Sequence, residues 1–315
     1  MSTIKILVTG GAGFIGSHIV DAYVEAGHHV AIVDDLSTGK TKNLNAHATF
    51  YKIDIRAPHK LEEVFAKEKF DLVCHQAART DVRESFREPL LYAKVNILGS
   101  LNLLELCRRH GVHKFIYAST GGAVYGEPQY LPVDENHPIN PLDPYGASKH
   151  HVEHYLFLYE ANFKVAYTIL RYPNVYGPRQ NPEGEGGVVA IFAYRMLKGV
   201  QPTINGTGEQ ERDFLYVGDV ARANLLAVEA GDNKIINLGT GHGTSVNHLY
   251  ERLTGATGFK GEALHGPAKS GEVFKTWLKA DQARAELGWS PQVTLEEGLR
   301  NTIAFFKKEL DEAVI

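Results

Sequence analysis

Apolar positions along the first two thirds of the chain fall into short runs separated by longer stretches of helical spacing. Residues 4–9, 30–34, 49–53, 72–75, 114–119 and 165–171 read as strands. The first, Ile4-Lys5-Ile6-Leu7-Val8-Thr9, is apolar at most positions, as a strand covered on both faces should be. Between these runs the spacing predicts helices over 14–26, 59–67, 89–110 and 145–162. Strands alternating with helices imply βαβ units and a parallel, doubly wound sheet. After Arg171 the pattern changes. Residues 172–187 carry Pro173, Pro178, Pro182 and several glycines and read as a long loop. A helix is expected at 188–198, a strand at 235–238, and helices at 246–254 and 295–310. The expected class is α/β, with the larger unit at 1–172 plus about 213–240 and a smaller C-terminal α/β unit at about 173–212 and 241–315. Ligands of open α/β sheets bind beyond the carboxyl ends of the strands, so the cleft is expected there.

Composition narrows the function classes. The 315 residues are 43% hydrophobic, enough for a sizeable core. Thirty-three Lys and Arg against 37 Asp and Glu leave a net charge of −4, which disfavours a nucleic-acid binder. Cys74 and Cys107 form no CxxC, so neither a disulfide framework nor a thiolate zinc site is expected. The start, MSTIKILVTGG, lacks a signal-peptide pattern, and no run approaches about 18 apolar residues. A soluble cytoplasmic protein with no membrane partner and no metal is the expectation.

The first strand runs into Gly10-Gly11-Ala12-Gly13-Phe14-Ile15-Gly16 and then a helix. The GxxGxxG spacing gives a tight turn without Cβ atoms, close backbone approach to a pyrophosphate, and free N–H groups at the helix start. The next strand ends at Asp34-Asp35, where an acid can bond a ribose 2′-hydroxyl and repel a 2′-phosphate. Strand, loop, helix and acid agree in register, which points to NAD on a Rossmann-type fold.

Tyr145-Gly146-Ala147-Ser148-Lys149 places a tyrosine and a lysine on one helix face. A free phenol, with a pKa of about 10, is a poor base. A nearby ammonium and a nicotinamide cation favour the phenolate, which can then take a proton from a hydroxyl while hydride leaves the same carbon.

These stretches, with Asp34-Asp35-Leu36-Ser37-Thr38-Gly39, Val124-Tyr125-Gly126, residues 170–179 and Arg212-Asp213, make the chain similar to the extended short-chain dehydrogenase/reductases over nearly its full length. Within them it resembles the bacterial and archaeal UDP-glucose 4-epimerases. The resemblance implies an NAD-binding larger unit and a UDP-sugar-binding smaller one. Hydride passes from C4 of a UDP-hexose to NAD while Tyr145 takes the O4 proton. The 4-keto sugar turns its other face, and hydride and proton return. The implied catalytic set is Tyr145, Lys149 and Thr120. The implied cofactor set adds Gly10, Gly13, Phe14, Ile15, Gly16, Asp34, Asp35, Ser37, Thr38, Gly39, Asp54, Ile55, Gln76, Ala77, Ala78, Asn96, Ser119 and Tyr172. The implied substrate set is Thr120, Gly121, Gly122, Tyr145, Asn174, Val188, Val189, Asn205, Arg212, Lys269 and Glu272. Thr276 lies near the family position that gates the C2 substituent of the sugar. A homodimer through the helices at 89–110 and 145–162 is implied as well.

One departure stands out. The family hydroxyl that bonds the sugar O4 falls, counting back from Val124-Tyr125-Gly126, on Gly121, with Thr120 one residue early. Either Thr120 reaches the site through an altered backbone, or water replaces the hydroxyl. Gly121-Gly122 supplies no acid or base, which disfavours the related dehydratases and decarboxylases. The alternatives are a 4-epimerase of UDP-N-acetylhexosamine or UDP-uronate, then a dehydratase or reductase, then a non-catalytic NAD sensor. His150-His151-Val152-Glu153-His154 spells a zinc-peptidase HxxEH, but at about 100° per residue both terminal histidines face away from Tyr145. It is read as a polar helix face.

Overall fold

A computed structural model describes residues 2–183, 187–268 and 273–312. The chain runs β1 (Lys5–Thr9), α1 (Phe14–Glu25), β2 (His29–Asp34), β3 (Thr49–Lys52), α2 (Pro58–Glu68), β4 (Leu72–His75), α3 (Val82–Arg87), α4 (Pro89–Tyr92), a π-helical stretch (Ala93–Leu98), α5 (Gly99–His110), β5 (Lys114–Thr120), α6 (Pro144–Phe163) and β6 (Ala166–Tyr172). It continues through β7 (Asn174–Tyr176), α7 (Val188–Leu197), β8 (Thr203–Asn205), β9 (Glu211–Arg212), β10 (Phe214–Tyr216), α8 (Val217–Leu226), β11 (Lys234–Asn237), β12 (Thr244–Ser245), α9 (Val246–Thr257), β13 (Leu264–Gly266), β14 (Lys275–Thr276), α10 (Asp281–Leu287) and α11 (Leu295–Glu312).

Seven parallel strands form one sheet in the order β3-β2-β1-β4-β5-β6-β11, the Rossmann arrangement the βαβ pattern predicts. Strand alternation sends Ile6 and Val8 into one face with Ile19 and Tyr23 of α1 and Val220 of α8. Leu7 goes to the other face with Leu61 and Phe65 of α2 and Leu103 of α5. A third core, among Val189, Phe192, Leu249, Leu253, Leu299 and Phe306, joins α7, α9 and α11. The chain then returns: Ala283, Leu287 and Trp289 pack in the first core, and Trp289 Nε1 donates to Asp219 O at 2.9 Å.

Three differences from the sequence reading have physical reasons. The helix expected over 89–110 is interrupted by the π-helical stretch, which carries Asn96. The segment is long and apolar enough to cross a membrane, yet Leu103, Leu104, Leu106 and Cys107 are buried against the sheet. The apolar pattern does not mark α8, because Ala221, Ala223 and Asn224 supply much of its buried face. The long loop over 172–187 contains β7, which pairs in parallel with the distant β10.

Candidate active site

The carboxyl ends of β1, β4, β5 and β6 open on a cavity of about 610 Å³. One wall is the glycine turn. Gly13, the N-cap of α1, contributes no side-chain bond, so the first helical N–H groups face outward. A Cβ on Gly16 would stand 2.2 Å from Gly10 O, so only glycine permits this approach of helix to loop. Asp34 accepts from Ala12 N at 3.0 Å and Leu36 N at 2.8 Å, tying the turn to the end of β2. Burial raises its carboxyl, and those two backbone bonds oppose the rise. A glycine cradle, an open helix start and an acid beside it fit a dinucleotide.

The cavity gathers Gly10, Gly13, Phe14, Ile15, Gly16, Asp34 and Thr38 from the first βαβ unit. Gln76, Ala77, Ala78, Ser119, Thr120, Tyr145, Lys149, Tyr172 and Asn174 complete the expected residues in it. Asp35 and Ser37 are exposed beside it, and Gly39 backs onto Ala12 and Asp34. Asp54 and Ile55 lie off its wall: Asp54 pairs with Arg56 at 2.5 Å, and Ile55 is buried against Gly99. Asn96 is likewise behind the wall. Its amide bonds Arg79 N at 2.8 Å, Arg79 O at 3.0 Å and Ser148 Oγ at 2.9 Å, so it braces the loop after β4 against α6. The sequence reading missed Arg79, which lines the cavity paired with Glu84. Its signal was a basic residue directly after the small Ala77-Ala78.

α6 carries Tyr145 and Lys149. Asp143 caps it by accepting from Gly146 N at 2.7 Å, and Pro144 opens its first turn. Burial pushes the Tyr145 phenol up to about 12, and a hydrogen bond from the Thr120 hydroxyl opposes that rise. Burial brings the Lys149 ammonium down to about 7, with the Glu153 carboxylate working the other way. Lys149 Nζ lies 4.3 Å from the Tyr117 ring centre, a cation–π contact. Ser119 donates to Glu153 Oε1 at 2.6 Å.

Glu153 is the second missed residue. The polar-face reading holds for His151 and His154, which are exposed, but Glu153 is buried. Arg171 grips it with Nε at 2.9 Å and Nη2 at 2.6 Å, and Arg171 Nη1 reaches Tyr125 Oη at 2.7 Å. Its signal was an acid one helical turn after Lys149. Among the described residues no cluster of three or more metal-ligating side chains occurs.

The expected substrate residues are less tightly gathered. Gly121, Gly122, Asn174 and Thr276 share a narrow cleft with Asp213 and Leu278. Val188 begins α7 beside the cavity-lining Gly187. The Val189 side chain belongs to the third core, leaving only its backbone for a ligand. Asn205 ends β8, and Arg212 on β9 bonds Phe274 O at 3.1 Å, both off the large cavity. Lys269 and Glu272 lie outside the described residues.

The sequence profile of the NAD dependent epimerase/dehydratase family matches residues 6–239. A UDP-glucose 4-epimerase of Mycolicibacterium smegmatis is 40% identical over 311 residues, 97% of this chain and 99% of that one. The solved UDP-glucose 4-epimerase of Thermotoga maritima with UDP-glucose superposes with a TM-score of 0.96 at 50% identity, covering 98% of this chain and 100% of that one. The Thermus thermophilus UDP-glucose 4-epimerase in complex with NAD gives 0.93 at 43% identity, covering 96% and 99%.

Proposed function

We propose a reaction from one premise: the chain belongs to the NAD dependent epimerase/dehydratase family. It is an NAD-dependent 4-epimerase that interconverts UDP-glucose and UDP-galactose. Tyr145 is the base in this reading. The observation that carries it is the meeting of Tyr145, Lys149 and Thr120 in the same cavity as the glycine turn.

The chemistry supplied by bound NAD is reversible hydride acceptance at C4 of the sugar. The chain's own residues handle the proton. Tyr145 takes it from O4 and returns it after the 4-keto sugar has turned its other face. The protein by itself keeps this phenol protonated at neutral pH, since burial outweighs the Thr120 bond. Positive charge in the cavity, from Lys149 and from the ligand, lowers it. The Thr120 hydroxyl donates to the Tyr145 phenolate before Tyr145 takes the O4 proton, and again after the proton is returned. The glycine turn and the start of α1 hold the pyrophosphate of the cofactor, and Asp34 takes its ribose. Asn174, the start of α7, Asn205 and Arg212, with Lys269 and Glu272, are the residues proposed for UDP.

A homodimer belongs to the same proposal. Phe86, Leu90, Leu98 and Phe157 are 62%, 73%, 54% and 51% exposed on α3, α4, the π-helical stretch and α6, which pack on one another. Such an apolar face on neighbouring helices supports burial against a second copy.

The test is purified protein with UDP-galactose and no added cofactor, followed by chromatography for UDP-glucose. Conversion is expected, from retained NAD. No conversion of either hexose, with NAD supplied, overturns the reading. UDP-N-acetylgalactosamine in parallel decides whether Thr276 admits an N-acetyl group.

A further inference from the structure

Residue 121 stands where the family hydroxyl is expected, and here it is glycine. β5 ends at Thr120, and Gly121 opens the turn that follows, its N–H donating to Tyr172 O at 2.7 Å. Thr120 and Tyr145 line the large cavity, whereas Gly121 lines the narrow cleft, so a side chain on residue 121 would enter that cleft. It would also meet a wall: a Cβ on Gly121 would lie 2.3 Å from Leu278 Cδ1 and 3.0 Å from Cδ2.

Leu278 is held from several directions. It is 1% exposed and packs with Val124, Tyr125 and Val133. Val133 bonds both neighbours, its N–H to Trp277 O at 2.9 Å and its carbonyl from Lys279 N at 2.8 Å. Leu278 N donates to Asp213 Oδ2 at 3.1 Å, and the same carboxylate takes the Thr240 hydroxyl at 2.6 Å. The cleft between Leu278, Thr276, Asn174 and Gly121-Gly122 leaves no room for a water molecule.

We propose that Leu278 is a positioning residue: it fills the place of a residue-121 side chain, holds the Gly121 backbone in register with Tyr172, and thereby makes the Thr120 hydroxyl the partner of Tyr145. This rests on the reading that Tyr145 acts on the substrate. Gly121 and Leu278 then form one unit, and each substitution is felt through the Thr120–Tyr145 bond. The strand that carries Tyr145's partner is set by a segment more than 150 residues away in sequence.

The experiment uses NAD-loaded Leu278→Ala, Gly121→Ala and the double variant, with Leu278→Val as the conservative control. Crystal structures read the Thr120 Oγ1 to Tyr145 Oη distance; steady-state kinetics with UDP-galactose read kcat and KM. Each single substitution is expected to lengthen the bond and lower kcat about tenfold with KM within about twofold. The double variant is expected to lose less than the product of the two, because the methyl added at position 121 occupies space vacated by the shortened side chain at position 278. Leu278→Val retains most of kcat. An intact Thr120–Tyr145 bond in both single variants, or losses that multiply, overturns the proposal. If Gly121→Ala does not fold, the two Leu278 variants carry the test. A wild-type enzyme that turns over no UDP-hexose sinks the proposed function, while the crystallographic distances still decide the role of Leu278.

Discussion

Replacing Glu153 by glutamine tests how the site is charged from behind. Glu153 and Arg171 have side chains only 2% exposed and share two hydrogen bonds. Burial raises the Glu153 carboxyl, but Arg171, His150 and Ser119 outweigh it and hold it at about 2. Against an ordinary value of 4.5 that gap corresponds to about 3 kcal/mol. Removing one partner of a buried ion pair costs about 3–5 kcal/mol, because the other charge stays buried. The two routes agree. With an unfolding entropy of roughly 0.7 kcal/mol/K for a chain of this length, Tm should fall by about 4–7 °C. The sign with pH follows from the depressed carboxyl. Its stabilisation is complete above about pH 4.5 and is lost as pH falls toward about 2. Glu153→Gln should therefore flatten that acid limb. It also removes the charge that opposes the desolvation of Lys149, so the ammonium drops below about 7 and epimerisation slows at neutral pH. Adding Arg171→Met should recover stability without recovering rate. Calorimetry across pH, with rates measured alongside, is the assay. A Tm change under about 1 °C, or an unchanged acid limb in Glu153→Gln, would refute the reasoning.

The remaining expectations concern the same cavity and the outer helices. Tyr145→Phe should cut epimerisation by about 10²-fold or more with bound NAD unchanged by extraction and absorbance; surviving activity would move the base elsewhere. Lys149→Met should abolish turnover yet stabilise the NAD-free protein at pH 6–7 by up to about 5 kcal/mol. Its ammonium, at about 7, binds fewer protons folded than unfolded between there and 10.5, so its cost is greatest below pH 7 and fades as pH rises. Urea melts at pH 6 and 9 check this. Leu90→Glu with Phe157→Glu should convert the proposed dimer to monomer in light scattering, with NAD still bound.

The Rossmann sheet and one end of its cavity are legible from the residues alone. β1, the glycine turn and Asp34 lie within 30 residues, and their meaning is local: a buried apolar run, a turn without Cβ atoms, an acid at the next strand end. The Tyr145–Lys149 pair is legible for the same reason, since helical spacing puts both on one face. The features that emerge only on folding involve partners far apart in the chain. Asn96 looks like a lining residue until the π-helical stretch turns it onto Arg79 and Ser148. Glu153 looks like part of a polar face until β6 brings Arg171 beneath it. Gly121 looks like a lost hydroxyl until Leu278 arrives against its backbone. Local spacing specifies direction along one element. Which charge is desolvated, and which side chain has room, depends on what packs there from elsewhere in the chain.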